Sequence, residues 1–439
     1  MEENSYYCSQ CGTKIVPSMK FCSNCGSKVN IIFPKEENTE KLVDKELVSE
    51  SDAKSDYQNS SSGVAEIGGK KKTLLKIVIP IIVVLIGLLY ILKVNFLGNS
   101  NDDPDIGLKI ENVSFDFLVE DELIPAIAYA YAMGDEGMIK MTVTNNTDKA
   151  KSLVAGCEIP GWTNPFESSF TLKKNGFKEL NLKLSFLEKL KQNKEIVDAQ
   201  INYYIKENGV IIWNQSKAIK ISSKGTMLWS KYADFDMIDY VAGFVNPNDV
   251  KVEEIVSRAK EYAPDRNLIG YQFDDDEMQA IQTRKEARAI FLALHEFGIS
   301  YVNSPMSYSI GHSQKVRTPF ESIRDKSANC IDGAILYASI FENLGMEPMI
   351  IIGPGHAIVG VRLYPNSADA IYIETTLTGS TDETDNYEEV SDEEILAALF
   401  NRACEKGGET YNEWLQNDEV QIVDIKDCRS RKIFPTFTN

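Results

Sequence analysis

Basic residues are scarce in this chain relative to acidic ones. Among its 439 residues, 46 lysines and arginines face 65 aspartates and glutamates, for a net charge of −19. An anionic surface repels phosphate, so this balance argues against nonspecific nucleic-acid binding by the protein as a whole. A nucleic-acid partner is therefore not expected, and any such role would have to be local.

Cysteine is also scarce, with eight in the chain, and half of them lie in two knuckles close to the N-terminus. The four cysteines of the knuckles are Cys8, Cys11, Cys22 and Cys25. Two Cys-x-x-Cys pairs, each followed by glycine, suit tetrahedral coordination of zinc by four thiolates. Disulfides are a poor alternative, since the segment has almost no core without a metal.

This pattern resembles a small zinc ribbon spanning residues 1–30, which implies a structural zinc ion. The lysines Lys14, Lys20 and Lys28 are partly balanced by Glu2 and Glu3, so the segment lacks a basic face for DNA. The expected role of the ribbon is either structural, with the zinc ion stabilising its fold, or to contact a cytoplasmic protein partner.

One long apolar run stands out against polar flanks. Residues 31–69 are rich in acids, serine and lysine and predict a disordered acidic linker. Residues 73–92 are apolar apart from Lys76 and long enough to cross a bilayer. Lysines precede this run and acids follow it, which predicts a single-pass membrane protein with a cytoplasmic N-terminus and extracytoplasmic C-terminal domains.

Residues 108–222 carry short β-rich runs separated by turn signals, and no catalytic cluster is evident among them. The pair Asn208-Gly209 between two such runs is a strong hairpin signal. Repeated short strands of this kind predict an all-β, immunoglobulin-like sandwich that serves as a spacer or interaction module. The predicted fold class is thus multidomain, with ribbon, membrane helix, sandwich and a C-terminal α+β domain.

A candidate nucleophile, Cys330, begins an apolar helix that Gly345 closes. Ser327 or Asn329 can cap the start of this helix. Unpaired backbone N–H groups and the positive end of the helix dipole favour a thiolate over a thiol at that position. A thiolate is the form of cysteine that attacks a carbonyl carbon.

His356 opens an apolar run that breaks near Asn366, and a second run leads into Glu374. An antiparallel hairpin at this break makes His356 and Glu374 direct or diagonal neighbours on one face. The three residues would then act as nucleophile, base and orienting carboxylate. Taken singly, each residue has an ordinary alternative as a buried cysteine, a structural histidine or a strand-edge acid.

The segments around these residues resemble the transglutaminase-like superfamily, whose core is a papain-like arrangement of helix and sheet. The segments are Asn329-Cys330-Ile331-Asp332, Pro354-Gly355-His356-Ala357 and Ile373-Glu374-Thr375-Thr376. The resemblance covers residues 230–439 and implies the same three catalytic roles. The third member of that family's triad is usually aspartate, so glutamate at 374 is a departure.

Gln314 lies ahead of the nucleophile helix and can supply an amide donor to an oxyanion, although a surface role remains the alternative. Arg317 can pair with a local acid such as Glu321. Asp332 can complement the helix dipole. Cys404 and Cys428 can form a disulfide outside the cell, but their spacing alone does not decide this.

These observations predict a membrane-anchored cysteine enzyme that acts on amide bonds of peptides or proteins at the cell envelope. A thioester intermediate would pass to water in a peptidase or amidase, or to an amine in a transferase. No cofactor is expected for the catalysis. The alternative is a non-enzymatic envelope scaffold or sensor whose terminal domain binds a ligand.

Overall fold

The computed structural model describes most of the chain beyond residue 106. The described ranges are 107–231, 236–302, 313–380 and 392–437, with three two-residue strands before them. These strands are β1 (Tyr6–Tyr7), β2 (Lys14–Ile15) and β3 (Asp102–Asp103). The predicted linker at 31–69 and the predicted membrane span at 73–92 lie outside the described residues.

One component of the predicted fold class, the membrane-spanning helix, is wrong. Within the described ranges, none of the helices combines the length and the hydropathy that crossing a membrane requires. The described chain consists of β-sheets and helices, with a zinc ribbon at the N-terminus. The predicted cytoplasmic placement of the N-terminus depends on the same undescribed segment and stays a prediction.

The first large unit, residues 107–222, is built from eleven strands and two helices. Its strands are β4 (Leu108–Phe115), β5 (Leu118–Val119), β6 (Glu122–Leu123), β7 (Ile139–Asn145), β8 (Lys151–Glu158), β9 (Thr163–Asn164), β10 (Phe166–Leu172), β11 (Phe177–Leu182), β12 (Ser185–Phe186), β13 (Val197–Glu207) and β14 (Val210–Ile221). Its helices are α1 (Pro125–Met133) and α2 (Lys189–Gln192). A sheet in the order β10-β8-β13-β14-β6-β5 faces one in the order β11-β7-β4-β3 across a shared apolar core.

Alternation of apolar and polar residues sets which faces are buried. In β7, Ile139, Met141 and Val143 point into the core while the residues between them are partly exposed. The predicted hairpin at Asn208-Gly209 is confirmed, since both residues have positive φ and join β13 to β14. This two-residue turn matches the strand twist and fixes the register.

The immunoglobulin-like description needs correction in two respects. Helix α1, which the alternation pattern did not predict, lies between β6 and β7, and its first half is buried. The six-stranded sheet is also mixed, because β14 pairs with β6 in parallel. A helix that is apolar on most of its faces gives no period-3.6 stripe, and this explains why the sequence pattern missed it.

The C-terminal unit combines helices with short strands and one four-stranded sheet. Its strands are β15 (Thr226–Leu228), β16 (Ser300–Tyr301), β17 (Ser313–Lys315), β18 (Ser327–Ala328), β19 (Pro348–Gly353), β20 (His356–Arg362), β21 (Ala370–Ile373) and β22 (Gln421–Asp424). Its helices are α3 (Val250–Ala259), α4 (Asp276–Glu296), α5 (Pro319–Asp325), α6 (Cys330–Asn343), α7 (Asp392–Gln416) and α8 (Ile425–Ser430). Four short 3₁₀ helices lie at Ile238–Gly243, Lys260–Tyr262, Pro264–Arg266 and Thr375–Leu377.

The four-stranded sheet has the order β21-β20-β19-β22, and each neighbouring pair is antiparallel. Helix α6 packs on β19 and β20 and is buried over residues 330–341. Strand β19 is buried along its whole length, as expected for a strand covered on both faces. The start of α6 and the end of β21 therefore lie over the same part of the sheet.

The two units share apolar contacts rather than meeting through an open linker. One small cluster joins Val119, Ile124 and Ile127 of the first unit to Leu228 and Met237 of the second. Strand β15, which precedes the predicted domain start at residue 230, pairs with β17 and so belongs to the C-terminal unit.

Candidate active site

The start of helix α6 is fixed by a reciprocal pair of hydrogen bonds. Asn329 is the N-cap, and its side chain accepts from the backbone N–H of Asp332 at 2.9 Å. The Asp332 carboxylate accepts from the backbone N–H of Asn329 at 3.2 Å. Cys330 is thereby held as the first helical residue, at the positive end of the dipole, and is fully buried.

His356 and Glu374 meet on the hairpin of β20 and β21. Val359 pairs with Ile373, and continuing that register places His356 diagonally opposite Glu374 on one face. The turn includes Asn366, whose φ is 59°. His356 Nε2 lies 2.7 Å from Glu374 Oε2, which is hydrogen-bonding distance.

Cys330 completes this chain of contacts, since its side chain hydrogen-bonds the imidazole of His356. Nε2 already faces Glu374, which leaves Nδ1 as the ring nitrogen for the sulfur. Burial by itself lowers the pKa of His356, but the bonds to Cys330 and Glu374 outweigh it and raise that pKa to about 10. An imidazolium at neutral pH stabilises negative charge on either neighbour.

The charge of Glu374 is stabilised from two sides. Burial alone raises its pKa, yet the hydrogen bonds from His356 and Thr376 hold it below the usual value. Oε1 accepts from the backbone N–H of Thr376 at 3.1 Å and from its hydroxyl at 2.6 Å. The Glu374 backbone N–H donates to the carbonyl of Ala403 on α7 at 2.9 Å. These contacts show how a glutamate, one methylene longer than aspartate, is accommodated.

Trp414 of α7 covers the imidazole, a contact that the sequence reasoning missed. Its ring lies 6.2 Å from the His356 ring in an edge-to-face arrangement. Gly353 makes room for the indole, because a Cβ there would lie 2.2 Å from Trp414 Cδ2. Edge-to-face pairs of this kind are favourable, so the indole helps to hold the imidazole in place. No local motif links Trp414 to His356.

Gln314 is buried rather than on the surface, and a hydrogen bond from Trp229 determines which way its side-chain amide points. The indole N–H of Trp229 can only donate, so the group 3.0 Å away must be the carbonyl oxygen of Gln314. The amide nitrogen Nε2 then faces away from Trp229. It is buried and has no hydrogen-bond partner among the described residues. A buried N–H donor of this kind is suited to an oxyanion.

Arg317 pairs with Asp332, not with Glu321 as the sequence suggested. Its backbone N–H and its guanidinium each donate to the Asp332 carboxylate at 2.8 Å. Glu321 instead pairs with Lys224. Burial raises the pKa of Asp332, and the bonds to Arg317 offset this only in part. The contact ties the segment that carries Gln314 to the start of α6.

Replacing Asp332 with alanine is expected to lower the free energy of unfolding by about 2–4 kcal/mol. The change removes the acceptor for three hydrogen bonds and leaves Arg317 unpaired at a partly buried site. Urea denaturation of the full-length chain measures the effect. Asp325→Ala is the matched control, since this exposed acid pairs with Arg324 on the surface, and a loss of equal size there would refute the assignment.

The other described cysteines and His295 make different contacts. Cys157, Cys404 and Cys428 are free thiols, so the structure has no disulfide between the last two. Burial raises the pKa of each of these three thiols to about 12. The Nδ1 atom of His295 contacts the carbonyl of Thr378 at 2.7 Å, and His312 lies outside the described residues.

The predicted metal ligands lie near the N-terminus and not in the candidate active site. In the parts of the chain that the structure covers, no group of three or more metal-ligating side chains is found. The four predicted zinc ligands, Cys8, Cys11, Cys22 and Cys25, lie outside the described residues. Strands β1 and β2 pair antiparallel, with Tyr7 opposite Lys14, so the connection between them carries the first knuckle.

Comparison with known proteins bears on this N-terminal segment. Residues 7–29 match the family described as zinc-ribbon domain. The predicted zinc ribbon is confirmed at that level. No curated protein matches the chain.

Among solved structures, the exo-chitosanase CsxA of Amycolatopsis orientalis is similar, both free and in a complex with PNP-beta-D-glucosamine. The sequence identity is 10%, with 54% of this chain and 31% of that chain covered, and the TM-score is 0.19. This chain thus spans about a third of the chitosanase. At this score the likeness has no bearing on fold or function.

Proposed function

We propose that the C-terminal unit is a transglutaminase-like cysteine enzyme that acts on amide bonds of peptides or proteins. The observation that carries the proposal is the continuous contact from Cys330 through His356 to Glu374. A thiol at a helix start, an imidazole and a carboxylate in this order are the parts that covalent catalysis needs. Fold resemblance adds an expectation but does not replace the geometry.

The reaction follows from the protonation states of these groups. The Cys330 thiolate attacks the carbonyl carbon of the amide and forms a tetrahedral oxyanion. As the C–N bond breaks, His356 gives its proton to the departing amine, which leaves a thioester on Cys330. Water, deprotonated by His356, then attacks the thioester; the C–S bond breaks, which releases the acid and regenerates the Cys330 thiolate beside protonated His356. An amine in place of water forms a new amide. Glu374 holds the ring and stabilises its positive charge.

Two donors are assigned to the oxyanion. The backbone N–H of Cys330 belongs to the first turn of α6, at the positive end of the helix dipole. Nε2 of Gln314 is the second donor, oriented by the bond from Trp229 to its oxygen. The pairing of Arg317 with Asp332 ties the segment that carries Gln314 to the helix start. Such donors stabilise charge that develops in the transition state.

The zinc ribbon has a separate role in this proposal. Cys8, Cys11, Cys22 and Cys25 are a donor set of four thiolates, and the paired strands β1 and β2 lie on either side of the first two cysteines in the sequence. When bound there, zinc supplies folding energy and no catalysis. The ribbon then offers a surface for a protein partner.

A ligand-binding role without chemistry has one observation in its favour, because Cys330 is fully buried. The two functions differ in the reactivity of the thiol. A binding domain has no need of an activated sulfur, whereas an enzyme must present a thiolate to its substrate. Measuring that reactivity against pH separates them.

The rate of iodoacetamide alkylation at Cys330 is expected to change little between pH 6.5 and 9 in the full-length chain. His356, whose pKa is raised to about 10, stays protonated over this range and keeps its hydrogen bond to the sulfur. In His356→Ala the rate should instead climb about tenfold per pH unit, up to the free-thiol value of about 8.5. Labelling is located by mass spectrometry, and Cys404 serves as the internal reference thiol. Identical pH profiles in the two proteins would overturn the enzyme proposal.

A further inference from the structure

Strand β10 lies at one edge of the six-stranded sheet and pairs with another strand on one side only. It runs from Phe166 to Leu172 and is antiparallel to β8. Within the residues that the structure describes, no strand pairs with its other side. A strand with one unpaired side presents a row of backbone N–H and C=O groups to which a further strand can bind.

The other edge strands of the two large sheets in this unit carry features that discourage such pairing. Strands β5 and β3 are each two residues long, and β3 consists of two aspartates. Strand β11 exposes two neighbouring charged side chains, Lys178 and Glu179. Short strands and charged side chains are common means by which a sheet edge avoids pairing with another chain. Strand β10 is therefore the edge to compare with them.

Strand β10 has neither of these protective features. It is seven residues long, and Glu167 is its one charged residue. The Glu167 carboxylate forms an ion pair with Lys206 and accepts a hydrogen bond from the hydroxyl of Tyr204 at 2.8 Å. Both of these partners belong to β13 of the same sheet. Because its charge is compensated within the sheet, Glu167 does little to repel a second strand from this edge.

The side chains of β10 alternate between the two faces of the sheet. Phe170 and Leu172 are buried in the apolar core, and Phe166 packs against that core. A strand added at this edge must continue both faces, with apolar side chains on the inner face and polar ones on the outer face. The residues on the outer face are exposed, namely Glu167, Ser169 and Thr171.

A second copy of β10 meets this requirement. Residues that face each other in an antiparallel pair lie on the same face of the sheet, and pairing all seven residues sets Ser169 opposite Ser169 of the second copy. Glu167 then faces Thr171 on the outer face. On the inner face, Phe166 faces Leu172. No like charges are opposed, and the apolar side chains of the inner face continue from one copy to the other.

We propose that two copies of this protein associate by antiparallel pairing of their β10 strands, with the two-fold axis at Ser169. The six-stranded sheets of the two copies then form one continuous sheet. This inference goes beyond the proposed function and is independent of it, because β10 belongs to the first unit and the candidate catalytic residues belong to the second. It gives the first unit the role of a dimerisation module.

Sedimentation equilibrium of the full-length chain, at about 1 to 100 µM, measures the dissociation constant of the dimer. Ser169→Lys sets two lysines opposite each other and should raise that constant about fivefold. Thr171→Lys is the matched control, because it adds the same charge to the same face but sets it opposite Glu167 of the second copy. This variant should lower the constant about threefold. Both positions are exposed, and circular dichroism checks that each variant is folded.

A mixture of Ser169→Lys and Ser169→Glu tests the position of the two-fold axis. Each variant alone opposes like charges, whereas a mixed pair opposes a lysine to a glutamate and should bind at least as tightly as the wild type. Wild-type protein that stays monomeric over the whole concentration range would overturn the proposal and leave β10 to a strand of another protein. Equal weakening by Ser169→Lys and Thr171→Lys would overturn it too, since their different positions would then have no effect.

Discussion

Substitution of His356 by alanine is expected to slow acylation of Cys330 by p-nitrophenyl acetate about 10²–10⁴-fold at pH 7. The side chain that hydrogen-bonds the sulfur is lost, and with it the positive charge that stabilises the thiolate. Stopped-flow release of p-nitrophenol measures the acylation step, and mass spectrometry locates the acetyl group.

His295→Ala is the control for this experiment. His295 is also partly buried, on α4, but its ring contacts a backbone carbonyl rather than the sulfur. Its loss can lower stability without changing the rate of acylation per folded molecule. If both histidine variants slow acylation equally, the special role of His356 is refuted.

Glu374→Gln is expected to lower acylation by up to about 10⁴-fold, and to lower the pKa of His356 from about 10 toward its ordinary value of about 6.5. Glutamine keeps the size of the side chain but removes the charge that stabilises the imidazolium. The histidine pKa is read from the ring proton resonance by NMR. A variant that still titrates near pH 10 and still acylates rapidly would contradict a role for the carboxylate.

Glu374→Asp is the matched variant, since it keeps the charge and shortens the reach. Glutamate bridges His356 on one oxygen and Thr376 on the other. Aspartate cannot span both, so an intermediate rate and an intermediate histidine pKa are expected. Recovery to the full rate would show that the extra methylene is dispensable here.

The same pair makes stability depend on pH in a defined direction. The pKa of His356 is raised, so its contribution to stability is complete below about pH 6.5 and is lost as the pH rises toward 10. The pKa of Glu374 is lowered, so its contribution is present above about pH 4.3 and is lost as the pH falls through that lowered pKa. The pair therefore stabilises the fold most between these limits.

Local patterns were enough to predict the core of the candidate site. A cap followed by apolar residues gives the start of the helix at Cys330, and two apolar runs with a turn between them give the hairpin. Side chains along a strand point alternately to its two faces, and His356 and Glu374 are an even number of residues apart. That even separation is enough to place them on one face of the hairpin. The catalytic roles of these residues stay predictions until they are tested.

Local sequence patterns could not predict contacts between residues that are far apart in the chain. The bond from Trp229 to Gln314 joins residues 85 positions apart, and no sequence period encodes it. The same holds for Trp414 on His356, because the helix and strand that carry them meet only after the sheet has formed. The partner of Arg317 was misjudged for a related reason, since proximity in sequence favoured Glu321.

The bounds of strand β4 could not be predicted from alternation alone. The strand runs from Leu108 to Phe115, and its register shifts between Glu111 and Ser114. Asn112, with φ of 53°, lies within that shift. A bulge breaks the alternation that strand prediction depends on, so the visible alternation begins only after it.

The apolar cluster between the two large units bears on how the protein unfolds. Val119 and Ile127 of the first unit pack with Leu228 of the second, so neither unit can melt without uncovering the other. Calorimetry of the full-length chain should then give one heat-absorption peak for residues 107–437 rather than two. A cut at the boundary between the units would expose these side chains to water and leave the separated C-terminal fragment prone to aggregation.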